Sequence, residues 1–162
     1  MRVLGIDPGI ERCGWGVLEK NTNISIISYG CIFTSKNDIK PKRLNLLYDS
    51  IVSLLKKYKP DSIAMEDLFF NTNAKTAIIV GEARGVIMLA GEKLKIPFSS
   101  YPPLEIKMSI TGYGRADKEQ MQIMVKNILK MKSIPKPDDT ADALAVALTH
   151  CFVCKFKNKI KI

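Results

Sequence analysis

Four acidic residues of this chain have types and positions that could do chemistry. Asp7 follows the apolar run at 3–6, and Glu66 closes a second such run, so each carboxylate stands at the end of a predicted strand. Asp139 and Asp142 lie at the start of a long apolar segment, at a spacing that places both on one helix face. Carboxylates that meet repel one another unless a cation lies between them, and Mg²⁺ prefers oxygen ligands. The four acids therefore predict a divalent-metal site.

Two divalent ions held by such a set would hydrolyse a phosphodiester. In two-metal sites the ions lie about 3.5–4 Å apart, where one activates a water and the other stabilises the leaving 3′ oxygen. No histidine base is required, and the sole histidine, His150, lies two turns beyond the acidic pair. Each acid also has a structural interpretation, because Asp7 belongs to an Asp-Pro-Gly turn and Asp139 could cap a helix. Asp142 gains little from capping, which favours the metal site.

The elements that position these acids follow from the pattern of apolar and helix-breaking residues. The chain opens with an antiparallel meander of three strands, and helices and strands then alternate before three final helices. This order, βββαβαβααα, predicts an α/β fold with a mixed sheet. The predicted strands lie at 3–7, 13–19, 24–33, 62–66 and 96–99, and the helices begin near 41, 74, 103, 117 and 139.

The predicted helix 74–92 has an unusual surface. It carries few charges near its middle and is rich in glycine and alanine. Such a helix is either enclosed in the core or pressed against a partner subunit, and both can hold at once.

The net charge of +9 over 162 residues favours a polyanionic partner. A lysine-rich, solvated surface explains the same composition. Position adds weight to the first interpretation, because a polar and basic stripe is predicted on the helix that begins near 117. The lysine-rich end of the chain, 155–162, is predicted to be disordered or strand-like and able to touch phosphates. The length predicts a single domain, 1–151, followed by the basic tail 152–162. The stripe comprises Lys118, Gln122, Lys126 and Lys130.

Location and redox state also follow from the sequence. No apolar run approaches the roughly 20 residues needed to span a bilayer, and Asp7 interrupts the first apolar stretch, so we expect a cytoplasmic protein without membrane association. In that compartment the four cysteines are expected to be reduced. A zinc site at His150, Cys151 and Cys154 would need a further ligand and is disfavoured.

Two nucleotide-binding interpretations are weaker. The segment 9–14 is similar to the opening of a phosphate-binding P-loop, but Trp15 stands where that motif requires lysine, and a strand follows instead of a helix. Actin-like and sugar-kinase ATPases open with a comparable strand and hairpin. They hold nucleotide between two such domains, for which 162 residues are too few.

Beyond the acids, several segments in register resemble the RuvC family of bacterial Holliday-junction resolvases. The similarity runs in order from residue 3 to about 151 without a large gap. The segments are LGIDPG at 4–9, GWG at 14–16, AMEDLF at 64–69, GEARG at 81–85 and DTADALA at 139–145.

The resemblance implies an RNase H-like fold, a mixed sheet of about five strands flanked by helices. It also implies a homodimer, formed through helix 74–92, that nicks two opposed strands of a four-way DNA junction with two Mg²⁺ ions per active site, Mn²⁺ being a substitute. RuvA and RuvB would be its partners. The metal ligands that it implies are Asp7, Glu66, Asp139 and Asp142.

The resemblance also implies DNA contacts. Phe69 would stack on a base near the junction centre, with Phe70 as the alternative, because adjacent strand residues face opposite ways. Lys107 and Lys118 fall where the family places basic residues near the scissile phosphate. Asp138 departs from the family pattern and makes the ligand assignment ambiguous by one residue. The Asp-x-x-Asp spacing favours Asp139 as the ligand and leaves Asp138 to cap the helix.

Two rival functions remain at the level of sequence. One is another RNase H-like nuclease, for example an enzyme that cuts RNA–DNA hybrids. The other is a junction-binding protein without catalysis. Four intact acids argue against the second, because a pure binder gains nothing from negative charge that faces DNA phosphates.

Overall fold

The computed structural model describes residues 1–68 and 74–157, and their elements follow the predicted order βββαβαβααα. Among these residues no helix is long and apolar enough to cross a membrane. The strands are β1 (Arg2–Asp7), β2 (Arg12–Lys20), β3 (Ile24–Phe33), β4 (Ser62–Glu66) and β5 (Phe98–Tyr101). The helices are α1 (Lys40–Tyr58), α2 (Ala74–Lys93), α3 (Pro103–Thr111), α4 (Lys118–Ile128) and α5 (Asp138–Lys157).

The strands form one mixed sheet in the order β3-β2-β1-β4-β5. β1 and β3 are antiparallel to β2, whereas β4 is parallel to both β1 and β5. Because β1 and β4 are parallel neighbours, their carboxyl ends meet at one edge of the sheet, where Asp7 and Glu66 are the last strand residues. The predicted α/β fold with a mixed sheet of five strands is confirmed.

Alternating side chains of β1 contribute to a core on each face of the sheet. Val3 belongs to the core formed with α3, α4 and α5, whereas Leu4 and Ile6 belong to the core formed with α1 and α2. The middle of α5 is buried, and its Leu144 and Leu148 are fully enclosed. Each such leucine stabilises the fold by about 1.5–3 kcal/mol relative to an exposed one. The burial fixes α5, and therefore its acidic first turn, against the sheet.

Helix α5 approaches the sheet so closely that two positions beneath it require glycine. A Cβ atom at Gly5 would overlap the carbonyl oxygen of Ala143 and the side chain of Ala147. At Gly14, a Cβ atom would overlap the carbonyl group of Asp139. The first turn of α5 therefore rests directly on β2, next to the end of β1.

The predicted basic stripe on α4 is wrong at two of its positions. Gln122 is buried, because it shares the inner face of the helix with Met121 and Val125. The helix ends at Ile128, so Lys130 lies beyond it. The basic residues of the predicted stripe that remain on α4 are Lys118 in its first turn and Lys126 in its last.

The end of α5 also differs from the prediction. The expected disordered or strand-like tail is wrong for residues 155–157, because α5 continues to Lys157. Phe152 and Val153 pack against the core, which explains the extension. Residues 158–162 lie outside the described part of the chain.

Candidate active site

Asp7 is half-buried at the end of β1, opposite Gly14 of β2. Burial, which is the largest cause, and three neighbouring carboxylates together raise the pKa of Asp7 to about 8. A shift of this size means that the surroundings oppose a negative charge unless a cation is close. The contributing neighbours are Asp142, Asp139 and Glu66, in decreasing order.

Glu66 ends β4, where the guanidinium of Arg84 holds the local backbone. Arg84 Nη1 donates a hydrogen bond to the carbonyl oxygen of Glu66, and Nη2 donates to Ser100 Oγ at 3.1 Å. Burial raises the pKa of Glu66, and the charge of Asp142 raises it further, whereas Lys107 lowers it. Glu66 and Asp142 therefore share one electrostatic environment, although they belong to a strand and a helix that are far apart in sequence.

The first turn of α5 supplies the other two predicted acids. Thr140 Oγ1 donates to the carbonyl oxygen of Gly30 at 3.3 Å and ties this turn to β3. Asp139 Oδ2 lies 3.5 Å from Arg12 Nε, and Asp142 Oδ2 lies 3.4 Å from Lys118 Nζ. Burial raises the pKa of Asp142, and Lys118 opposes the rise. The structure thus brings the four predicted carboxylates to one edge of the sheet.

Asp138 is the first residue of α5, and its surroundings differ from those of Asp139. Its carboxylate pairs with Lys136 at 3.4 Å and with Lys118 at 3.5 Å. The hydrogen bond from Lys136 is the largest cause that lowers the pKa of Asp138. The neighbours that raise the pKa of Asp7 are Asp139 and Asp142 instead. These surroundings favour Asp139 over Asp138 as the inward-facing acid.

The acids form an oxygen-rich set but not an assembled metal site. Within residues 1–68 and 74–157, no three His, Cys, Asp or Glu side chains are arranged to hold a metal ion. One oxygen, Asp139 Oδ2, is buried and accepts no hydrogen bond from the described residues; its contact with Arg12 is an ion pair. The carboxylates repel one another, and one of their buried oxygens has no hydrogen-bond donor. A hard divalent cation would satisfy both conditions, because it prefers oxygen ligands.

Lys107 and Lys118 line a cavity of about 200 Å³ beside Glu66 and Asp142. Lys118 is exposed and Lys107 is half-buried. Asp117 caps α4 in a capping box with the third residue of the helix and so fixes the helix start that carries Lys118. Two ammonium groups thus adjoin the carboxylates.

The predicted base-stacking residue Phe69 and its alternative Phe70 lie outside the described residues. The strand that precedes them ends at Glu66, and Arg84 Nη2 lies 3.9 Å from Asp67 Oδ1. The described residues therefore bring the chain to the edge of the site just before Phe69.

His150 is buried at a distance from the acids. Hydrogen bonds join its Nε2 to Ser62 Oγ at 2.9 Å and its Nδ1 to Tyr101 Oη at 2.7 Å. The residue ties α5 to β4 and β5. All four cysteines are free thiols.

The geometry has a counterpart among known proteins. The sequence pattern of the family described as "Crossover junction endodeoxyribonuclease RuvC" matches residues 3–150. This chain belongs to the RuvC family. Family members by that name include a protein of Fusobacterium nucleatum, 52% identical over 93% of this chain and 80% of its own length. Another, from Caldicellulosiruptor saccharolyticus, is 54% identical over 93% of this chain and 92% of its own length.

Solved structures of RuvC proteins share the fold. The structure titled "T. thermophilus RuvC in complex with Holliday junction substrate" is 33% identical to this chain, with a TM-score of 0.92. The match covers 97% of this chain and 96% of the other. The predicted RNase H-like fold is confirmed by this likeness together with the five-stranded sheet.

Sequence reasoning missed two basic residues at the RuvC-family site. Arg84 belongs to the GEARG segment that carried the resemblance, but sequence reasoning gave it no role; an arginine in a helix poor in charge was the available signal. Arg12 gave no signal, because nothing in its local sequence shows that β2 starts beside the first turn of α5.

Proposed function

We propose that this protein is a structure-selective DNA endonuclease that resolves Holliday junctions by paired nicks on opposed strands. The convergence of Asp7, Glu66, Asp139 and Asp142 at one sheet edge, in a chain of the RuvC family, carries the proposal. The T. thermophilus relative that this chain resembles was solved with a Holliday junction substrate, which supports the substrate class.

The four carboxylates would hold two Mg²⁺ ions, with Mn²⁺ as a substitute. When bound, such ions supply an activated water and stabilise the leaving 3′ oxygen of a phosphodiester. The raised pKa of Asp7, whose largest cause is burial, is the property expected of a ligand that a cation must stabilise. No side chain is needed as a general base, which agrees with a buried His150 engaged by Ser62 and Tyr101.

Lys107 and Lys118 would bind the phosphate oxygens of the strand to be cut. Both line the cavity beside Glu66 and Asp142, so a phosphate at the carboxylates would lie within reach of an ammonium group. In a partly buried site such a charge stabilises the negative charge that develops in the transition state. Lys118 also balances Asp142, at 3.4 Å.

Phe69 would stack on a base near the junction centre, with Phe70 as the alternative. The support is the family resemblance together with the position of Glu66, which brings the chain to the substrate just before these aromatic residues. Replacing each by alanine separates them, because base stacking contributes about 1–3 kcal/mol and only the stacking residue should matter for junction cleavage.

Helix α2 would form the homodimer interface. Its Ala83, Ile87 and Ala90 are buried in the core, whereas Ile78 and Leu89 are exposed on the opposite face. Exposed apolar residues eleven positions apart lie on one side of a helix. Both predicted roles of the helix, core and subunit contact, are thus compatible. A twofold dimer matches two symmetric cuts on a nearly symmetric substrate.

The proposal extends to cellular partners and domain organisation. RuvA and RuvB as partners, and a cytoplasmic location beside the chromosome, are supported by the family resemblance and the DNA substrate. Residues 1–151 would act as a single nuclease domain. The lysine-rich segment that follows would add sequence-independent phosphate contacts.

The deciding experiment offers three substrates to the purified protein. A synthetic four-way junction, a matched duplex and an RNA–DNA hybrid are each incubated with Mg²⁺ and with EDTA. We expect paired, ligatable nicks in the junction alone, and only with Mg²⁺. Hybrid cleavage would establish the rival RNase H-like activity, and tight junction binding without cutting over many junction sequences would establish a binding protein.

A further inference from the structure

A second cavity, of about 590 Å³, lies on the Asp139 side of the site. It shares none of its lining residues with the cavity that holds Lys107 and Lys118. Its walls are the β1–β2 turn at 9–12, the start of α1, and side chains from α2 and α5. Three of the lining side chains are cations: Arg12, Lys36 and Arg43.

The frame around this cavity is fixed by hydrogen bonds through Thr34. The backbone N–H of Thr34 donates to the carbonyl oxygen of Glu11 at 3.0 Å, and its hydroxyl donates to the carbonyl oxygen of Ile10. Arg43 Nε donates to Thr34 Oγ1 at 2.8 Å. The β1–β2 turn, the end of β3 and the start of α1 are therefore held as one unit. A guanidinium positioned in this way is preorganised for a ligand.

The cations have donors that the protein does not use. Arg43 Nη2 is buried and has no hydrogen-bond partner among the described residues. Burying such a donor without an acceptor costs about 1–3 kcal/mol. Lys36 is 72% exposed and pairs with Glu11 only across the surface, at 3.1 Å. Surface pairs of this kind contribute little and exchange readily for another anion.

The acids of the cavity do not exclude an anion. The lining holds three cations and two carboxylates, Glu11 and Asp139, so its cations exceed its acids by one. Glu11 lies beside Lys36 at 3.1 Å and Asp139 beside Arg12 at 3.5 Å. The remaining cation is Arg43, whose Nε is fixed and whose Nη2 lacks an acceptor. A guanidinium is planar and can donate two parallel hydrogen bonds to two oxygens of one phosphate.

From this frame we infer that Lys36 and Arg43, with Arg12, bind a backbone phosphate of the junction strand next to the phosphate that is cut. This inference rests on the proposed function. The strand would pass over the carboxylates with one phosphate beside Lys107 and Lys118 and another in the second cavity. The contact is to the sugar–phosphate backbone, so it holds the strand in register without any preference for base sequence.

The test measures junction affinity as a function of salt in the cleavage-deficient D7N protein. Lys36→Gln and Arg43→Gln are compared with Lys56→Gln, which removes a charge from an exposed residue near the other end of α1, roughly 20 Å away along the helix. We expect Lys36→Gln and Arg43→Gln each to weaken binding equally for all junction sequences. The slope of log K against log salt is negative, and each variant should reduce its magnitude by at most about 1, the value for one phosphate contact.

The control variant Lys56→Gln should show the same salt dependence of junction affinity as the D7N protein. Arg43→Lys preserves the charge and part of the Thr34 contact, so it should retain more affinity than Arg43→Gln; melting temperatures show whether each variant folds. If the salt slopes of Lys36→Gln and Arg43→Gln equal that of Lys56→Gln, the inference is wrong. Junction cleavage by the protein that retains Asp7 would still leave the proposed function intact. If the otherwise unaltered protein does not bind the junction, the proposed function itself is wrong.

Discussion

At the scale of single residues, Asp7 combines burial with three neighbouring carboxylates. Its pKa of about 8 records how strongly the site opposes one more negative charge, with burial as the largest cause. Lys118 is the nearby cation that acts in the opposite direction. The surroundings of Asp7 therefore favour a cation, and Lys118 provides only part of the positive charge needed.

Asp7→Asn should abolish junction cleavage while junction binding is kept or improved. The amide is a poorer metal ligand, and the change removes a negative charge that faces DNA phosphates. We expect cleavage to fall on the order of a thousandfold or more, as for the loss of a main electrostatic contact. Single-turnover cleavage and gel-shift affinity measure the two effects. Asp49→Asn, at an exposed acid on α1, is the matched control. Normal cleavage by Asp7→Asn would show that the site assignment is wrong.

Asp138 and Asp139 can be separated by replacing each with asparagine. Asp139 contributes to the raised pKa of Asp7, whereas the Asp138 side chain is 44% exposed and pairs with Lys136 and Lys118. We expect Asp139→Asn to reduce cleavage by orders of magnitude and Asp138→Asn to reduce it less than about tenfold, as for the loss of surface ion pairs. The reverse order would make Asp138 the ligand.

At the scale of elements, the site depends on how closely α5 lies on the sheet and on how α2 holds β4. Gly14 allows the first turn of α5 to rest on β2. On the other side, Arg84 of α2 bridges the end of β4 and Ser100 of β5. The side chain of Arg84 is only 11% exposed, so it acts as a positioning residue for Glu66 and not as a contact to the substrate.

Arg84→Ala should lower the turnover number and raise the Mg²⁺ concentration needed for half-maximal cleavage. The carbonyl oxygen of Glu66 would lose its donor, which loosens the adjacent carboxylate. Supporting contacts around metal ligands typically contribute 10–100-fold in affinity or activity. Added guanidinium should restore part of the activity, and Arg115→Ala, at an exposed arginine, should behave like the unaltered protein. An Mg²⁺ requirement unchanged in Arg84→Ala would refute the positioning role.

At the scale of the whole molecule, α2 connects the core to the proposed partner subunit. The helix buries one face against α1 and the sheet and exposes Ile78 and Leu89 on the other. Because Arg84 lies on the same helix, the subunit contact and the position of Glu66 share one rigid element.

Leu89→Lys should convert the dimer into monomers and impair paired cleavage. A charge placed in an apolar interface is left without a partner, which costs several kcal/mol. Mass photometry at several protein concentrations measures the oligomeric state. Leu104→Lys, at an exposed leucine on α3, is the matched control and should leave the oligomeric state unchanged. If Leu89→Lys remains dimeric, the interface lies elsewhere.

Stability should depend on pH through Asp7 when EDTA is present. Because the folded-state pKa of about 8 lies above the ordinary aspartate value of 3.8, folding favours the protonated acid. The stabilisation is full below pH 3.8 and is lost as pH rises toward 8. We expect Asp7→Asn to be more stable than the unaltered protein near pH 8 and to show a flatter profile. Thermal melts across this range measure both, and parallel profiles for the two proteins would contradict the expectation.

The sequence by itself determined the element order, the α/β class and the four candidate acids. Apolar periodicity, turn residues and acids at strand ends are local properties, so they are visible without the fold. The same local reasoning failed at Gln122, because the inner face of α4 is set by its packing and not by polarity alone. It also failed for residues 155–157, which continue a helix whose Phe152 and Val153 reach the core.

Only the tertiary structure decided which side chains meet. It placed Arg12 beside Asp139, Arg84 on the backbone of Glu66, and a second basic cavity next to the acids. These contacts join residues that lie far apart in sequence, and their distances depend on close packing, such as that of α5 over Gly14. Spacing along a chain fixes which face a residue occupies. How elements pack in three dimensions fixes its partners.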